Sequence, residues 1–351
     1  MNSVPSKLEK NNIDELYRKN QVKSISFLVI LSILLFLTVL MSLRAGSYET
    51  PVGELVKGIF GMSSDRKINI VVQNNRLPRI MTAILAGGGL GLAGCILQAV
   101  LRNPLASSST LGVSQGATFG AAFAIVVLNL GSNDGFGIPA CAFIGSIAVA
   151  LLILGLSKFR QVSPEGIVLA GVAISSMFTG ATTLIQYFAD EVQLSTLVFW
   201  TFGDLGNAGW EDLGGMAAIV ALLCVYCYVH RWDYNALLSG EETAVSLGIN
   251  VKRLTLVGMV LCCLCSSVVV ANVGLISFIG LVAPHIVRMV VGNNHVYLIP
   301  GAILGGSTLL LLGDLFARTV ISPVILPIGA ITSFLGGPLF LYLLFKGGKK
   351  Q

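Results

Sequence analysis

Hydrophobic residues run along this chain in long blocks that are separated by shorter polar connections. Blocks of about 20 apolar residues recur, and a helix of that length crosses the ~30 Å hydrocarbon layer of a membrane. The pattern therefore predicts an all-α, multi-pass membrane protein with about ten transmembrane helices. The predicted spans are 24–43, 80–101, a third beginning near 111, about 138–156, about 167–188, 213–229, 254–271, 274–292, 296–315 and 326–345.

The polar segments define the predicted domain organisation. Residues 1–23 are polar and mixed in charge, so we expect a cytoplasmic N-terminal tail, followed by a single transmembrane domain over 24–351. The first span is too long for a signal-peptide core and lacks a small-residue cleavage site, which indicates an uncleaved anchor. The connection 190–212 is expected to contain a short helix that lies across the membrane surface.

Composition and charge agree with this class and set the expected orientation. The chain is 54% hydrophobic and only 11% charged, which excludes a soluble domain of this length. Ten spans place 15 of the 22 Lys and Arg residues on the side of the two termini, so both termini are predicted to be cytoplasmic. The net charge of +5 is explained by basic loops against membrane lipid and requires no nucleic acid.

The eighth predicted span is apolar but interrupted. Gly274, Gly280 and Pro284 break it, and His285 and Arg288 crowd its far end. Interrupted spans are where transporters place a pathway or a moving joint, whereas ionisable groups are costly against lipid. The alternative is that Gly and Pro are merely common in membrane helices and that the two ionisable residues lie at the interface.

Small residues in the second span predict close helix packing. Gly87-x-x-x-Gly91 lies within a glycine-dense stretch, and this spacing lets a neighbouring helix approach to backbone contact.

Three arginines stand at the predicted outer ends of helices. Arg76 and Arg79 precede the second span, and Arg318 follows the ninth. Arginines at rigid outer positions suggest an acidic docking partner outside the membrane, and the alternative is that they reach lipid headgroups.

Several motifs follow one another along the chain. They are Arg76-Leu-Pro-Arg79, Gly94-Cys-Ile-Leu-Gln98, Asn103-Pro-Leu-Ala-Ser107, Leu111-Gly112-Val113, Gly116-Ala117, Gly274 to His285 with Arg288, Asp314 with Arg318, Leu326-Pro-Ile-Gly329 and Gly337-Pro338. Together they resemble the motifs of the FecCD-type permeases of ATP-binding-cassette (ABC) importers, and the resemblance covers nearly the whole chain at that family's spacing.

The resemblance implies a permease-like subunit of a type II ABC importer and a set of partners. These are a second permease subunit (the same or a related chain), two cytoplasmic ATP-binding subunits and an extracellular or periplasmic substrate-binding protein. The family imports ferric siderophores, cobalamin and haem, and a ferric siderophore is the expected cargo. An ion-coupled secondary transporter is the competing class, but such proteins usually place carboxylates or histidines deep within spans.

The resemblance also implies three sets of functional residues. Arg76, Arg79 and Arg318 match outward arginines that engage acidic residues of the binding protein, and Asp314, one turn from Arg318, is expected to hold its guanidinium. The segment of about 235–249 is expected to form a short amphipathic coupling helix for the ATPase. Its assigned residues are Leu237, Gly240, Glu241, Ala244, Leu247 and Gly248, with Ala236, Leu237, Ala244 and Leu247 facing protein.

The third set is a gate. Asn103 and Leu105 match the cytoplasmic narrowing of the family's pathway, and Pro164 in the loop before the fifth span is expected to oppose them.

Two positions depart from the family pattern. Ser108 stands where Pro is usual and should still serve as a helix N-cap. Ile325 stands where Glu is usual and removes a charge from the outer mouth.

Other chemistry is not expected. The seven cysteines fall within predicted spans, where Cys behaves as a small hydrophobe, so no metal site is predicted. No P-loop and no catalytic arrangement can be placed, so we predict no enzyme activity and no cofactor, with ATP hydrolysed by a partner subunit.

Overall fold

A computed structural model describes residues 7–46, 50–131, 135–159 and 163–347, and these residues form α-helices and two π-helical turns without strands. The helices are α1 (Lys7–Arg44), α2 (Val52–Ile59), α3 (Arg66–Ile70), α4 (Leu77–Val100), α5 (Val113–Ala122), α6 (Gly137–Phe159), α7 (Pro164–Tyr187), α8 (Glu191–Phe202), α9 (Trp210–Val229), α10 (Arg231–Leu238), α11 (Glu241–Ser246), α12 (Val251–Val273), α13 (Ile279–Val291), α14 (His295–Thr319) and α15 (Ile328–Gly347). The π-helical turns are Val71–Arg76 and Phe123–Val127.

The predicted all-α membrane fold is confirmed. Seven helical segments of the described chain are long and apolar enough to cross a membrane, and three shorter apolar segments correspond to the third, eighth and tenth predicted spans. The short helix expected in the connection 190–212 is present as α8, which begins with a capping box at Asp190.

The eighth predicted span is a short helix with a non-helical entry. Residues 274–278 are not helical, and α13 has only 13 residues. A helix of that length extends about 20 Å, which is less than the hydrocarbon layer. Gly274 and Phe278 both adopt positive φ, 73° and 66°, so the interruption expected from the sequence is sharp.

The helix at the amino terminus includes both the predicted tail and the first predicted span. Helix α1 is continuous over Lys7–Arg44 and passes through the predicted boundary at residues 23 and 24 without a break. This stretch contains neither Gly nor Pro, so no residue in it breaks a helix.

Helix α4 is the centre of the bundle, and 83% of its most apolar window is buried. A Cβ atom added at Gly87 would collide with the Gly306 carbonyl, and one at Gly91 with the Ala302 carbonyl, both on α14. A Cβ atom at Gly94 would overlap the carbonyl of Gly280 on α13. The backbone contact expected from the glycine spacing is confirmed, and it fixes α4, α13 and α14 as one unit.

We expect Gly94→Ala to lower stability, because its methyl group would meet backbone that cannot rotate away. Overpacking of this kind costs about 1–3 kcal/mol. The matched control is Gly155→Ala, since nothing lies within 4 Å of a Cβ atom at that position of α6. Thermal unfolding in detergent should show a lower midpoint for Gly94→Ala only. Equal midpoints for the two variants would contradict the close approach of α4 and α13.

Candidate docking, coupling and gate sites

Two of the three arginines predicted for docking, Arg79 and Arg318, bond to one buried carboxylate. Asp314, whose side chain is 0% exposed, accepts hydrogen bonds from Arg79 Nε at 2.8 Å and from Arg318 Nε at 2.9 Å. The predicted pairing of Asp314 with Arg318 along one face of α14 is confirmed. Because Arg79 belongs to the first turn of α4, this carboxylate also joins α4 to the end of α14.

The same arginines also hold the end of α1. Arg76 donates to the Leu43 carbonyl at 2.7 Å and to the Thr50 hydroxyl at 3.0 Å. Arg318 donates to the Ala45 carbonyl at 3.2 Å and to the Ser42 hydroxyl. The last carbonyls of a helix lack partners within it, so these guanidinium groups cap α1 from its neighbours.

A second carboxylate reaches this cluster from the connection between α8 and α9. Asp204 Oδ1 lies 3.0 Å from Arg79 Nη1, and the Asp204 side chain is 46% exposed. A cavity of about 420 Å³ opens beside these groups, and the family departure Ile325 is one of its lining residues. We call this end of the bundle the arginine end, defined by Arg76, Arg79 and Arg318.

The exposure of the three arginines differs from the expectation. Arg76 is 5% and Arg79 9% exposed, and the Arg318 side chain is 8% exposed. Their spacing at helix ends suggested free surface positions, but the carbonyls and carboxylates that surround them come from distant parts of the chain. Replacing any of them therefore perturbs the packing of α1, α4 and α14 as well as any partner contact.

The polar loop ahead of these arginines is folded in the described part of the chain. Helices α2 and α3 lie there, and Glu54 bonds Lys57 at 2.8 Å and the Ser63 hydroxyl at 2.7 Å. The bond from Lys57, followed by that from Ser63, lowers the pKa of Glu54 to about 2. This surface pair lies away from the cavity lining.

At the opposite end, the predicted coupling helix is two helices. Gly240, at φ 114°, separates α10 from α11, and Gly248, at φ 83°, follows them. Leu237 and Ala244 are buried within this chain, whereas Leu247 is 66% exposed and does not share their buried face. The break at Gly240 changes which side chains of α10 and α11 lie on one face.

The predicted coupling segment is hydrogen-bonded to the start of α14. Asn235 Nδ2 donates to Asn294 Oδ1 at 2.9 Å, and Asn235 Oδ1 accepts from the His295 backbone N–H at 2.7 Å. Tyr234 is fully buried against the His295 ring, with centroids 5.7 Å apart, and burial raises the pKa of its phenol. The sequence analysis did not single out these anchoring residues, since Tyr and Asn in a polar connection carry no distinctive spacing.

The outward surface of this segment combines apolar and acidic groups. Leu238, Val245 and Leu247 are exposed large hydrophobic residues, and Glu241 and Glu242 are exposed beside them. A broad depression of about 810 Å³ borders α11 and reaches Arg102.

The predicted gate residues lie in a structured loop at the same end. Asn103 Oδ1 accepts the Leu105 backbone N–H at 2.9 Å, and Leu105 is 43% exposed. Pro164 occupies the first turn of α7, behind the N-cap Ser163. Ser108 does not cap the following helix, because the N-cap of α5 is Gly112 at φ 86°.

Arg102 is a residue of this region that sequence reasoning missed. It lies 3.4 Å from Glu241 of α11 and interacts electrostatically with Glu165, the residue after Pro164. It has a φ of 46°, which is unusual for a non-glycine residue. Arg102 therefore connects the loop of Asn103 and Leu105 with the coupling segment and the start of α7.

The cysteines form no recognisable metal centre in the described ranges. All seven are free thiols in helices, and five of them are buried. No group of three or more His, Cys, Asp and Glu side chains is placed to hold a metal ion among the residues that the structure describes.

Comparison with known proteins assigns the chain to a family. The FecCD transport family model matches residues 34–346. An ABC transporter permease protein of Methanocaldococcus jannaschii is 47% identical over 97% of this chain and 99% of its own length. The Fe(3+)-citrate import permease YfmE of Bacillus subtilis is 33% identical over 95% and 98%, and the vitamin B12 import permease BtuC of Escherichia coli is 35% identical over 95% and 99%.

Solved structures agree with this assignment. An inward-facing metal-chelate type ABC transporter matches with a TM-score of 0.80 and 30% identity, over 92% of this chain and 99% of that one. The chain is thus a multi-pass membrane permease of an ABC importer, and it belongs to the FecCD transport family.

Proposed function

We propose that this permease moves a ferric siderophore across the cytoplasmic membrane, as one of two permease subunits served by two ATP-binding subunits and an extracellular substrate-binding protein. The similarity to a Fe(3+)-citrate import permease supports this cargo. Cobalamin is supported equally by the vitamin B12 permease, and haem follows from the family resemblance. Both termini face the cytoplasm in this proposal, so the arginine end faces outward.

The coupling segment is the observation that carries the proposal. Its exposed residues Leu238, Val245 and Leu247 lie outside the candidate membrane spans, where large apolar side chains facing water favour a protein partner. Its inner side is locked to α14 through Asn235 and Tyr234. A push from an ATP-binding subunit on α10 and α11 would therefore move α14 instead of being absorbed by a loose loop.

The proposed docking surface is the arginine end. Three guanidinium groups face two carboxylates there, so the cluster has a formal charge of +1 beside a polar cavity that opens outward. An acidic side chain of a substrate-binding protein would balance that charge. Because the arginines are buried, the acidic side chain would contact only the exposed edge of the cluster.

A polar stripe on α7 supports a path between two permease subunits. Ser176, Thr179, Gly180 and Thr183 are exposed and lie within one face of the helix. Each of the three hydroxyls is bonded to a carbonyl of its own helix, at 2.8–3.1 Å. The face is thus weakly polar, which suits a path that must release its cargo, and only 17% of this span is buried within the chain.

The acidic residues of the described spans lie near the ends of their helices, which favours an ATP-driven subunit over an ion-coupled transporter. Asp314 is the buried carboxylate in α14, and two arginines hold both of its oxygens. A carboxylate that binds a coupling ion needs an oxygen free to coordinate it, whereas both oxygens of Asp314 are held by guanidinium groups.

Transport in proteoliposomes tests the function. The chain would be purified with its ATP-binding subunit and supplied with a substrate-binding protein encoded beside it. We expect ATP-dependent accumulation of a ferric siderophore and no accumulation with a hydrolysis-deficient ATPase. Uptake of only cobalamin or only haem would show that the proposed cargo is wrong. Gradient-driven uptake by this chain alone would contradict the proposed ATP-driven import.

The coupling prediction uses the exposure of Leu247. We expect Leu247→Glu to abolish transport and to weaken ATPase association at least about tenfold, since losing ~1.4 kcal/mol is one factor of ten. Because Leu247 makes no buried contact, the subunit should keep its thermal midpoint. Lys67→Glu, an exposed charge reversal at the arginine end, is the control. Wild-type ATPase stimulation in Leu247→Glu would remove the coupling assignment.

The gate prediction concerns Leu105. We expect Leu105→Ala, or a change of Asn103, to raise leak or basal ATP hydrolysis without preventing assembly, because the side chain is half-exposed and the loop keeps its backbone bonds. Leak of a fluorescent solute from liposomes is the measurement, with Lys252→Ala, an exposed position at the start of α12 at the same end, as the control. Unaltered leak and transport would place the constriction elsewhere.

A further inference from the structure

One of the two carboxylates in the arginine cluster is fixed, and the other is displaceable. Asp314 is fully buried and binds two guanidinium groups. Asp204 pairs with a single guanidinium group, that of Arg79, and its side chain is 46% exposed. It lies in the connection between α8 and α9 instead of on a transmembrane helix. Asp204 and Arg79 both line the cavity, so a carboxylate that enters the cavity reaches this ion pair.

The connection around Asp204 is shaped to place this carboxylate on Arg79. The Gly206 backbone N–H donates to Asp204 Oδ1 at 2.9 Å, which orients the side chain. A Cβ atom at Gly206 would lie 2.7 Å from Arg79 Nη1, so a larger residue there would require the guanidinium group to shift. The ion pair therefore depends on the loop conformation, and the loop conformation is supported by the ion pair.

The same loop reaches the interrupted stretch that precedes α13. The Asp204 backbone N–H donates to the Val273 carbonyl at 2.9 Å. A Cβ atom at Gly203 would lie 2.7 Å from the Leu275 carbonyl, and one at Gly274 2.5 Å from the Trp200 carbonyl. A displacement of Asp204 would thus act directly on residues 273–275, where α12 ends and the non-helical entry to α13 begins.

We propose that Asp204 occupies the position on Arg79 to which an acidic side chain of the substrate-binding protein binds. Docking of that protein then displaces Asp204 from Arg79. Asp204 sets the strength of docking by competition, and its release loosens the 203–209 connection from Arg79. This inference rests on the proposed function, because it takes the docking partner from it.

The test is the affinity of the binding protein for the reconstituted transporter carrying Asp204→Asn. Asparagine keeps the acceptor for Gly206 N–H but removes the competing charge, so we expect docking to tighten about tenfold. Glu211→Gln is the matched control, because Glu211 is exposed in the first turn of α9 and outside the cavity lining. The Glu211→Gln variant loses one negative charge, as Asp204→Asn does, but keeps the ion pair between Asp204 and Arg79.

High salt distinguishes the long-range effect of removing a negative charge from the loss of the direct contact between Asp204 and Arg79. The Debye length falls to about 3 Å at 1 M salt, so a long-range gain from Glu211→Gln should disappear there. The gain from Asp204→Asn should persist, because it comes from a direct contact. If Asp204→Asn docks with wild-type or weaker affinity, or behaves like Glu211→Gln, the proposal is overturned.

A second measurement reports the loop itself. A spin label attached to Asn207→Cys, in a background with Cys141 and Cys224 replaced by Ser, should gain mobility when the binding protein docks. In Asp204→Asn the label should be mobile before docking. A label that docking leaves unchanged in the wild-type sequence would also overturn the displacement. Failure of the wild-type transporter to bind any such protein would instead refute the proposed function.

Discussion

The structure depends on the direct backbone contact of α4 with α13 and α14. Gly87, Gly91 and Gly94 remove the side chains that would hold these helices apart, so carbonyls of α13 and α14 lie where Cβ atoms would otherwise be. In a membrane the hydrophobic effect does not drive helices together, and packing at this range supplies the attraction instead. The other spans are arranged around this unit.

Helix α14 connects the two ends at which a transporter must respond. Its first residues, Asn294 and His295, hold the coupling segment through Asn235, and its last turns supply Asp314 and Arg318 to the arginine cluster. Its middle is fixed to α4 by Gly306 and Ala302. A single rigid element thus lies between the proposed ATPase contact and the proposed docking surface, which suits a mechanism in which both partners act on the same helices.

The buried ion cluster has a structural role whatever docks on it. Removing one partner of a buried ion pair usually costs about 3–5 kcal/mol, because a charge is left without compensation. Arg76, Arg79 and Arg318 each bond to an element that is far away in the sequence, and so they hold the end of α1 against α4 and α14. Charge reversal at these positions would combine a loss of packing with a loss of docking. Asp204 is half-exposed, so it can be replaced without breaking the buried pairs of Asp314.

The sequence by itself determined the membrane class, the ten apolar segments, the glycine-mediated contact, the interruption at Gly274 and the pairing of Asp314 with Arg318. Each of these follows from local composition or from spacing along one helix, which are the features that a linear pattern records. The tertiary structure alone decided the burial of the arginines, the break of the coupling segment at Gly240, and the roles of Asp204, Arg102 and Asn235. Those depend on partners such as the carbonyls of α1, Glu241 and Asn294, which are distant in the chain and come together only when the helices pack.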